Sequence, residues 1–363
     1  MQPIGLNKKK KFNILKNIWY NTVKYIVKIG LFFTHKKIKV YGSENIPKEG
    51  AIIFIGNHQN ALLDAILIPT TTARNIHFLT RASAFKTKIA NKILRSINMI
   101  PVYRLRDGKD SMNKNIAIFE KCFEFLKDKK AVQIFAEGEH HNFRSLLPLK
   151  KGFARIILGT LQKYPELEIK IIPVGINYDS HLNFPSSVSV YYGKPILANP
   201  YFNIEKPDTS YKAIKAKVSS ELKKLTTHID NLEEHDAIVE KLKNLNVDFL
   251  DPIATNKILE NLDTETPKQI KKQRINWFAP IHLFTRINSF FPLLLWKNLQ
   301  LKIKDIIFTN TFRFALILTV FPLFYLIQAG VISTVFNYKY GLIYLGICIV
   351  SGIITTKTAT VTP

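Results

Sequence analysis

The chain has 363 residues, with 52 Lys and Arg against 27 Asp and Glu, and 47% of it is hydrophobic. A net charge of +25 calls for an anionic partner: nucleic acid, an anionic membrane surface, or an acidic carrier or substrate. Two cysteines, Cys122 and Cys348, argue against a disulfide framework or a cysteine metal cluster.

The elements follow in chain order. Lys8 to Lys11 form a basic tetrad expected to be irregular. No cleavable signal peptide is expected, because Lys16, Lys24 and Lys28 interrupt the first apolar run and no small-residue cleavage site follows. Residues 14–33 place Leu15, Trp19, Val23, Ile26, Val27 and Leu31 on one side of a helix and Lys24 and Lys28 on another. Such a helix suits a membrane interface or the flank of a catalytic core. Short β-rich runs occupy 37–41, 51–55, 76–80, 131–135, 169–174 and 188–192, and helical patterns 86–97, 112–126 and 152–163 fall between several of them. Strands alternating with helices predict an α/β fold, a central mixed sheet flanked by helices. Lys/Glu-rich amphipathic helices are predicted at 211–225 and 233–245. Between Trp277 and Leu301, aromatics interleave with prolines beside Arg274, Arg286, Lys297 and Lys302, as in an interfacial belt.

Residues 314–336 and 340–356 carry no charge, and only Asn337, Tyr338 and Lys339 separate them. They predict a transmembrane hairpin. Lys302, Lys304 and Arg313 precede it, so the large N-terminal part is expected to face the cytoplasm. The resulting organisation is a basic tail and interfacial helix (1–34), a catalytic domain (35–207), a Lys/Glu-rich helical region (208–273), an aromatic segment (274–301) and the hairpin (302–363). A buried helical pair in a soluble domain is the competing reading of the last segment.

Polar residues arrive where apolar strands end, which is how α/β enzymes assemble a site. The run Gly56-Asn57-His58-Gln59-Asn60-Ala61-Leu62-Leu63-Asp64 follows the second strand. A histidine with a carboxylate in reach of one ring nitrogen is suited to take a proton from a hydroxyl. At 100° per residue, six steps cannot bring the pair onto one helical face, so His58 must sit in a turn before the helix. Further strand ends deliver Arg104, then Glu137 and Gly138, then Pro173 and Gly175.

This set resembles the PlsC-like glycerolipid acyltransferases over roughly residues 35–200. Asn57, His58 and Asp64 match the first block, Arg104 the second, Phe135, Glu137 and Gly138 the third, with Ala136 in place of proline, and Pro173 the fourth. The resemblance implies His58 and Asp64 as the catalytic dyad, with Arg104, Glu137 and Gly138 at the substrate. Glu137 would accept from the acceptor hydroxyl or anchor Arg104. Five residues separate His58 from Asp64 where four are usual, which is similar to the fungal glycerol-3-phosphate and dihydroxyacetone-phosphate acyltransferases, as is Leu147-Pro148-Leu149-Lys150. After Gly138 the usual Thr-Arg-Ser is absent, and Arg144, Lys150 or Lys151 could supply the missing cation. His140 and His141 beside Glu137 and Glu139 make a poor metal set because they are consecutive.

The implied activity is acyl transfer from acyl-CoA or acyl carrier protein to a hydroxyl of glycerol-3-phosphate or 1-acylglycerol-3-phosphate, without metal or redox cofactor. The expected partners are anionic membrane lipid, the acyl donor and the phosphate-bearing acceptor, not nucleic acid. The competing readings are an acyltransferase for a non-phosphate lyso-lipid and a basic membrane-anchored lipid-binding module without catalysis.

Overall fold

The structure, a computed structural model, describes residues 4–104, 111–262 and 276–360. Arg274 and the expected boundary at 273 lie outside the described residues. The chain opens with helix α1 (Ile4–Thr34), which runs directly into strand β1 (His35–Tyr41). The alternation then continues through β2 (Ala51–Gly56), α2 (Ala61–Thr71), β3 (Ile76–Arg81), α3 (Lys88–Ser96), β4 (Met99–Val102), α4 (Ser111–Lys127), β5 (Ala131–Phe135) and α5 (Gly152–Lys163). After it come β6 (Ile169–Tyr178), β7 (Ser186–Tyr192), β8 (Ile196–Leu197) and the helices α6 (Pro207–Leu225), α7 (His235–Asn244) and α8 (Pro252–Glu260). The C-terminal part holds α9 (Ala279–Asn288), α10 (Phe290–Gln300), α11 (Thr309–Leu318), α12 (Val320–Val335) and α13 (Tyr338–Thr358).

The strands form one mixed sheet in the order β1-β7-β6-β2-β5-β3-β4, with β8 beside β6. Pairs involving β2, β3, β4 and β5 are parallel, and β6 runs antiparallel to β7. The central strand β2, Ala-Ile-Ile-Phe-Ile-Gly, is buried at every position, as a strand covered on both faces must be. Alternate residues divide between two cores. Ile53 and Ile55 face a cluster with Cys122, Phe153, Ile157 and Val218, which covers the α4, α5 and α6 side. Ile52 and Phe54 face Leu31, Leu63, Leu67 and Phe314, on the α1, α2 and α11 side. The predicted fold class is therefore the observed one; the six expected runs are strands, β6 extends to Tyr178, and β4 and β8 add two short strands to them.

Helix α1 includes Lys8 to Lys11, where irregular chain was expected. Of the two roles considered for it, packing on the flank of the core is the one its contacts display. Tyr20 and Leu31 are buried against the core, and the Tyr20 hydroxyl accepts from the Ile76 N–H at 3.1 Å. Ile18, Tyr25, Ile29 and Phe32 are exposed along the opposite side.

Two segments, Ile306–Val335 and Tyr338–Thr358, are long and apolar enough to cross a membrane, and both face mostly outward. The Asn337 side chain accepts from the Lys339 N–H at the start of α13. The first segment differs from expectation at its beginning. Arg313, read from the sequence as a cytoplasmic flank, is buried in α11, donates to the Leu182 carbonyl at 2.9 Å and lies 4.8 Å over the Trp296 ring. Phe314 enters the core, and α11 approaches α1 so closely that a Cβ on Gly30 would stand 2.9 Å from Phe314 and Leu318 atoms. The hairpin thus begins as part of the α/β body.

Candidate active site

The site lies beyond the C-terminal ends of β2, β4 and β5, where parallel strands leave a crevice. Asn57 ends β2 and copies a strand residue with its side chain. Its amide nitrogen donates to the Ile176 carbonyl at 3.0 Å and its oxygen accepts from the Ile176 N–H at 2.8 Å. That anchorage holds the following turn against β6. His58 sits in this turn, before α2, and Asp64 in the first helical turn. The His58 Nδ1 lies 3.0 Å from an Asp64 oxygen. A neutral imidazole facing a carboxylate in this way carries its proton on Nδ1 and its lone pair on Nε2. The imidazole stacks on Phe135 at 4.1 Å and 9°, which fixes the ring plane.

Asp64 is fully buried and takes two further donors, the Asn60 N–H at 2.6 Å and the Tyr178 hydroxyl at 2.7 Å. Burial in contact with that carboxylate pushes the Tyr178 phenol well above its ordinary value, so it remains a donor. Tyr178 was missed from the sequence. The signal was available: Ile172, Val174, Ile176 and Tyr178 alternate along β6 into one core, and the last of them reaches Asp64.

Glu137 corrects an expectation. Its side chain has no exposure, and three protein donors occupy the carboxylate: the His58 N–H at 2.8 Å, the Leu147 N–H at 2.7 Å and His141 Nε2 at 2.6 Å. It ties the His58 turn to the loop after β5, and its two oxygens are engaged by groups of the protein. The His141 N–H donates back to the His58 carbonyl at 3.2 Å, closing the clamp. Gly138 is a turn residue. Its φ is +76°, and its N–H donates to the Phe135 carbonyl. A Cβ there would stand 3.1 Å from Lys150 Cγ. Because the N–H groups of His58, Asn60 and Gly138 are all engaged within the protein, none of the three is open to an oxyanion.

Arg144 is the second correction. It is buried and donates to the Tyr178 and Asp179 carbonyls, each at 2.9 Å, while its guanidinium lies 3.6 Å over the Phe249 ring. Burial pushes its pKa down to about 10. It braces the end of β6, with its guanidinium engaged inside the protein. Lys150 is exposed, beside Gly138, and its N–H donates to the Ala136 carbonyl at 2.7 Å. Lys151 points elsewhere, 3.8 Å from Asp208. Arg104 follows β4 and lies close enough to His140 to bear on its charge. Of the expected cations, Arg104 and Lys150 remain at the crevice.

His140 and His141 diverge. His141 turns inward to Glu137, whereas His140 stands edge-on to His58 at 5.7 Å. Burial foremost, then the nearby His58, keeps the His140 pKa low. Its Nε2 lies 3.5 Å from Asp305 and its ring 5.1 Å from Phe308, both in the turn that leads into the first apolar span. Asn310 in the same stretch donates to the His181 carbonyl at 2.5 Å, and His181 Nε2 meets Gln59 at 3.0 Å, next to His58. The chain entering the span is thus one wall of the site. From the other side, His228 Nδ1 accepts from the Leu146 N–H and His235 Nε2 from the Arg144 N–H, each at 2.9 Å. These contacts join residues far apart in sequence and left no local pattern. Among the described residues, no three His, Cys, Asp or Glu side chains are placed to hold a metal ion.

Comparisons with known proteins bear on this arrangement. Residues 37–177 match the family model described as Acyltransferase. Over 103 residues the chain is 37% identical to glycerol-3-phosphate O-acyltransferase 1 of Saccharomyces cerevisiae, covering 27% of this chain and 13% of that protein. Over 165 residues it is 28% identical to a 1-acyl-sn-glycerol-3-phosphate acyltransferase of Borreliella burgdorferi, covering 46% of this chain and 63% of that protein. The chain therefore matches under two thirds of the length of either relative. It also aligns with the crystal structure of a lysophosphatidate acyltransferase, PlsC, of Thermotoga maritima, at a TM-score of 0.40 and 22% identity over 56% of this chain and 80% of that one. Across residues 37–177 the chain is thus similar to the acyltransferase family and, over shorter stretches, to glycerolipid acyltransferases.

Proposed function

We propose that the protein moves an acyl group from an acyl thioester, acyl-CoA or acyl carrier protein, to a hydroxyl of a phosphate-bearing glycerol, at a membrane. The observation that supports this reading is the His58 imidazole, held at Nδ1 by a buried Asp64 at a strand-end crevice; in the proposal Nε2 is the base. In this mechanism His58 Nε2 takes the proton of the acceptor hydroxyl as its oxygen bonds to the thioester carbonyl carbon. Asp64 stabilises the imidazolium and holds its orientation. The tetrahedral intermediate then collapses, the C–S bond breaks, and the leaving thiolate recovers the proton from His58. No covalent acyl-enzyme is formed, because no serine or cysteine lies beside His58 in the turn. The balanced reaction calls for no metal or redox cofactor.

Arg104 and Lys150 supply the positive charge for the acceptor phosphate. Glu137, His141 and Tyr178 act through the dyad by holding its backbone and carboxylate. The acceptor class draws on the names of the relatives, one acting on glycerol-3-phosphate and one on 1-acylglycerol-3-phosphate. The two apolar segments hold the protein in the bilayer, with the catalytic part on the cytoplasmic side. The purified full chain, given labelled acyl-CoA and a panel of acceptors, should acylate glycerol-3-phosphate or its 1-acyl ester. Transfer only to acceptors without phosphate would move the assignment to a non-phosphate lyso-lipid. Lipid binding with no transfer to any acceptor would leave a binding module and refute the proposal.

A further inference from the structure

The excess positive charge is concentrated at the N-terminal end: residues 1–106 hold 19 Lys and Arg against three Asp and Glu, and none of residues 65–106 is acidic. Within that stretch, α3 reads Lys-Ile-Ala-Asn-Lys-Ile-Leu-Arg-Ser. Leu94 packs inward with Ile97 and Phe85 on the α1–α2 side of the sheet. The opposite face is unpartnered. Ile89 and Ile93, one turn apart, are 74% and 51% exposed, and Lys86, Lys88 and Lys92 around them are exposed as well. Among the described residues these three lysines form no ion pair.

Two isoleucines ringed by unpaired lysines is the pattern of a helix lying in an interface, with apolar side chains among acyl chains and cations among anionic headgroups. The position of α3 fits that occupant. The Trp19 indole N–H donates to Ser96 Oγ at 2.9 Å, which joins the C-terminal end of α3 to α1. The same α1 exposes Ile18, Tyr25, Ile29 and Phe32, and further along it packs against the first apolar span at Gly30. A Lys357 ammonium at the end of α13 donates to the Phe32 and His35 carbonyls, each at 2.7 Å, so both spans meet α1. The exposed apolar surface of α1 thus connects the spans to α3.

We infer that α3 is a second membrane contact, seated on anionic phospholipid through Ile89, Ile93, Lys86, Lys88 and Lys92. This rests on the membrane part of the reading above and adds the surface that sets the height of the α/β body over the bilayer. It predicts dependence on anionic lipid, since among the described residues the three lysines form no ion pair.

The test uses the full chain reconstituted in phosphatidylcholine vesicles with and without phosphatidylglycerol, and lipids carrying spin-label quenchers both near the headgroup and at mid-chain, the depth of Ile347 in α13. A fluorophore is attached through Ile93→Cys, with Ile347→Cys on α13 and Ile116→Cys on α4 as references; the native Cys122 and Cys348 are buried. The Ile93 probe should be quenched by the headgroup label as the Ile347 probe is by the mid-chain label, and more strongly with phosphatidylglycerol. The Ile116 probe, on the far side of the sheet, should stay bright. Replacing Lys86, Lys88 and Lys92 with Glu should remove most of the Ile93 quenching. An unquenched Ile93 probe beside a quenched Ile347 probe overturns this inference alone. If Ile347 is also unquenched, the membrane reading fails with it. An Ile93 probe that ignores lipid and responds to an acidic acyl carrier protein assigns the surface to that carrier and likewise overturns the inference. None of these readouts depends on turnover.

Discussion

Replacing Glu137 with Gln separates a positioning role from a substrate contact. The carboxylate receives His58 N–H on one oxygen and both Leu147 N–H and His141 Nε2 on the other. A glutamine has one oxygen. In its less costly orientation that oxygen serves Leu147 and His141, and the amide NH2 then faces the His58 N–H. One buried, charge-assisted hydrogen bond is lost and two donors oppose each other. Hydrogen bonds to charged groups contribute about 1.5–3 kcal/mol. For a body of this size each kcal/mol moves the melting temperature by about 2–4 °C, so Glu137→Gln should melt roughly 3–12 °C lower. The disturbed atom is the backbone nitrogen of His58, so kcat should fall with little change in KM for the acceptor. Thermal unfolding by intrinsic fluorescence in detergent, paired with steady-state kinetics, reads both. A variant that melts like the parent and loses acceptor affinity would refute the reasoning and return Glu137 to the substrate.

Other expectations follow from the same geometry. Arg144→Lys keeps the charge and loses the fork that serves the Tyr178 and Asp179 carbonyls, so thermal stability should drop while acceptor KM holds; a raised KM at unchanged stability would restore the phosphate role. Tyr178→Phe strips one donor from Asp64, and a loss of about 1–2 kcal/mol of orientation corresponds to a fall in kcat of about five- to thirtyfold, checked by initial rates. Burial holds His35 and His77 at about 4, so both are neutral in the fold. Once unfolded they take up protons below about 6.5, so stability is full above that pH, falls between about 6.5 and 4, and levels off below. At 1.36 kcal/mol per pH unit each accounts for about 3 kcal/mol, and melting curves from pH 7.5 to 4.5 should show the decline. A flat profile would contradict the buried neutral assignment.

Much of the framework could be read from the sequence because burial leaves a pattern. The unbroken apolar run of β2 could only be a strand covered on both faces, and the helical step angle alone placed His58 in the turn ahead of α2. The site was legible where chemistry is local, as for His58 and Asp64. It is not legible where the partners of a charged residue come from distant segments. Glu137 and Arg144 are buried because backbone groups from distant segments satisfy them, and such partners have no sequence spacing to detect. Arg313 shows the same effect in the apolar hairpin: a carbonyl at Leu182 and the Trp296 ring hold it inside the protein. The wall made by Asp305, Phe308 and Asn310 joins the entrance of a span to loops more than a hundred residues earlier, which only the packed chain reveals.

The central claim is that His58 is the base for acyl transfer. Its most direct test is the single-turnover rate of transfer from acyl-CoA to the preferred acceptor, measured for the full chain and for His58→Ala with the melting temperature recorded alongside. The account requires the variant to melt close to the parent, since the His58 backbone carries the clamp, and to lose transfer by several orders of magnitude. A folded His58→Ala protein that transfers at the parent rate would contradict it.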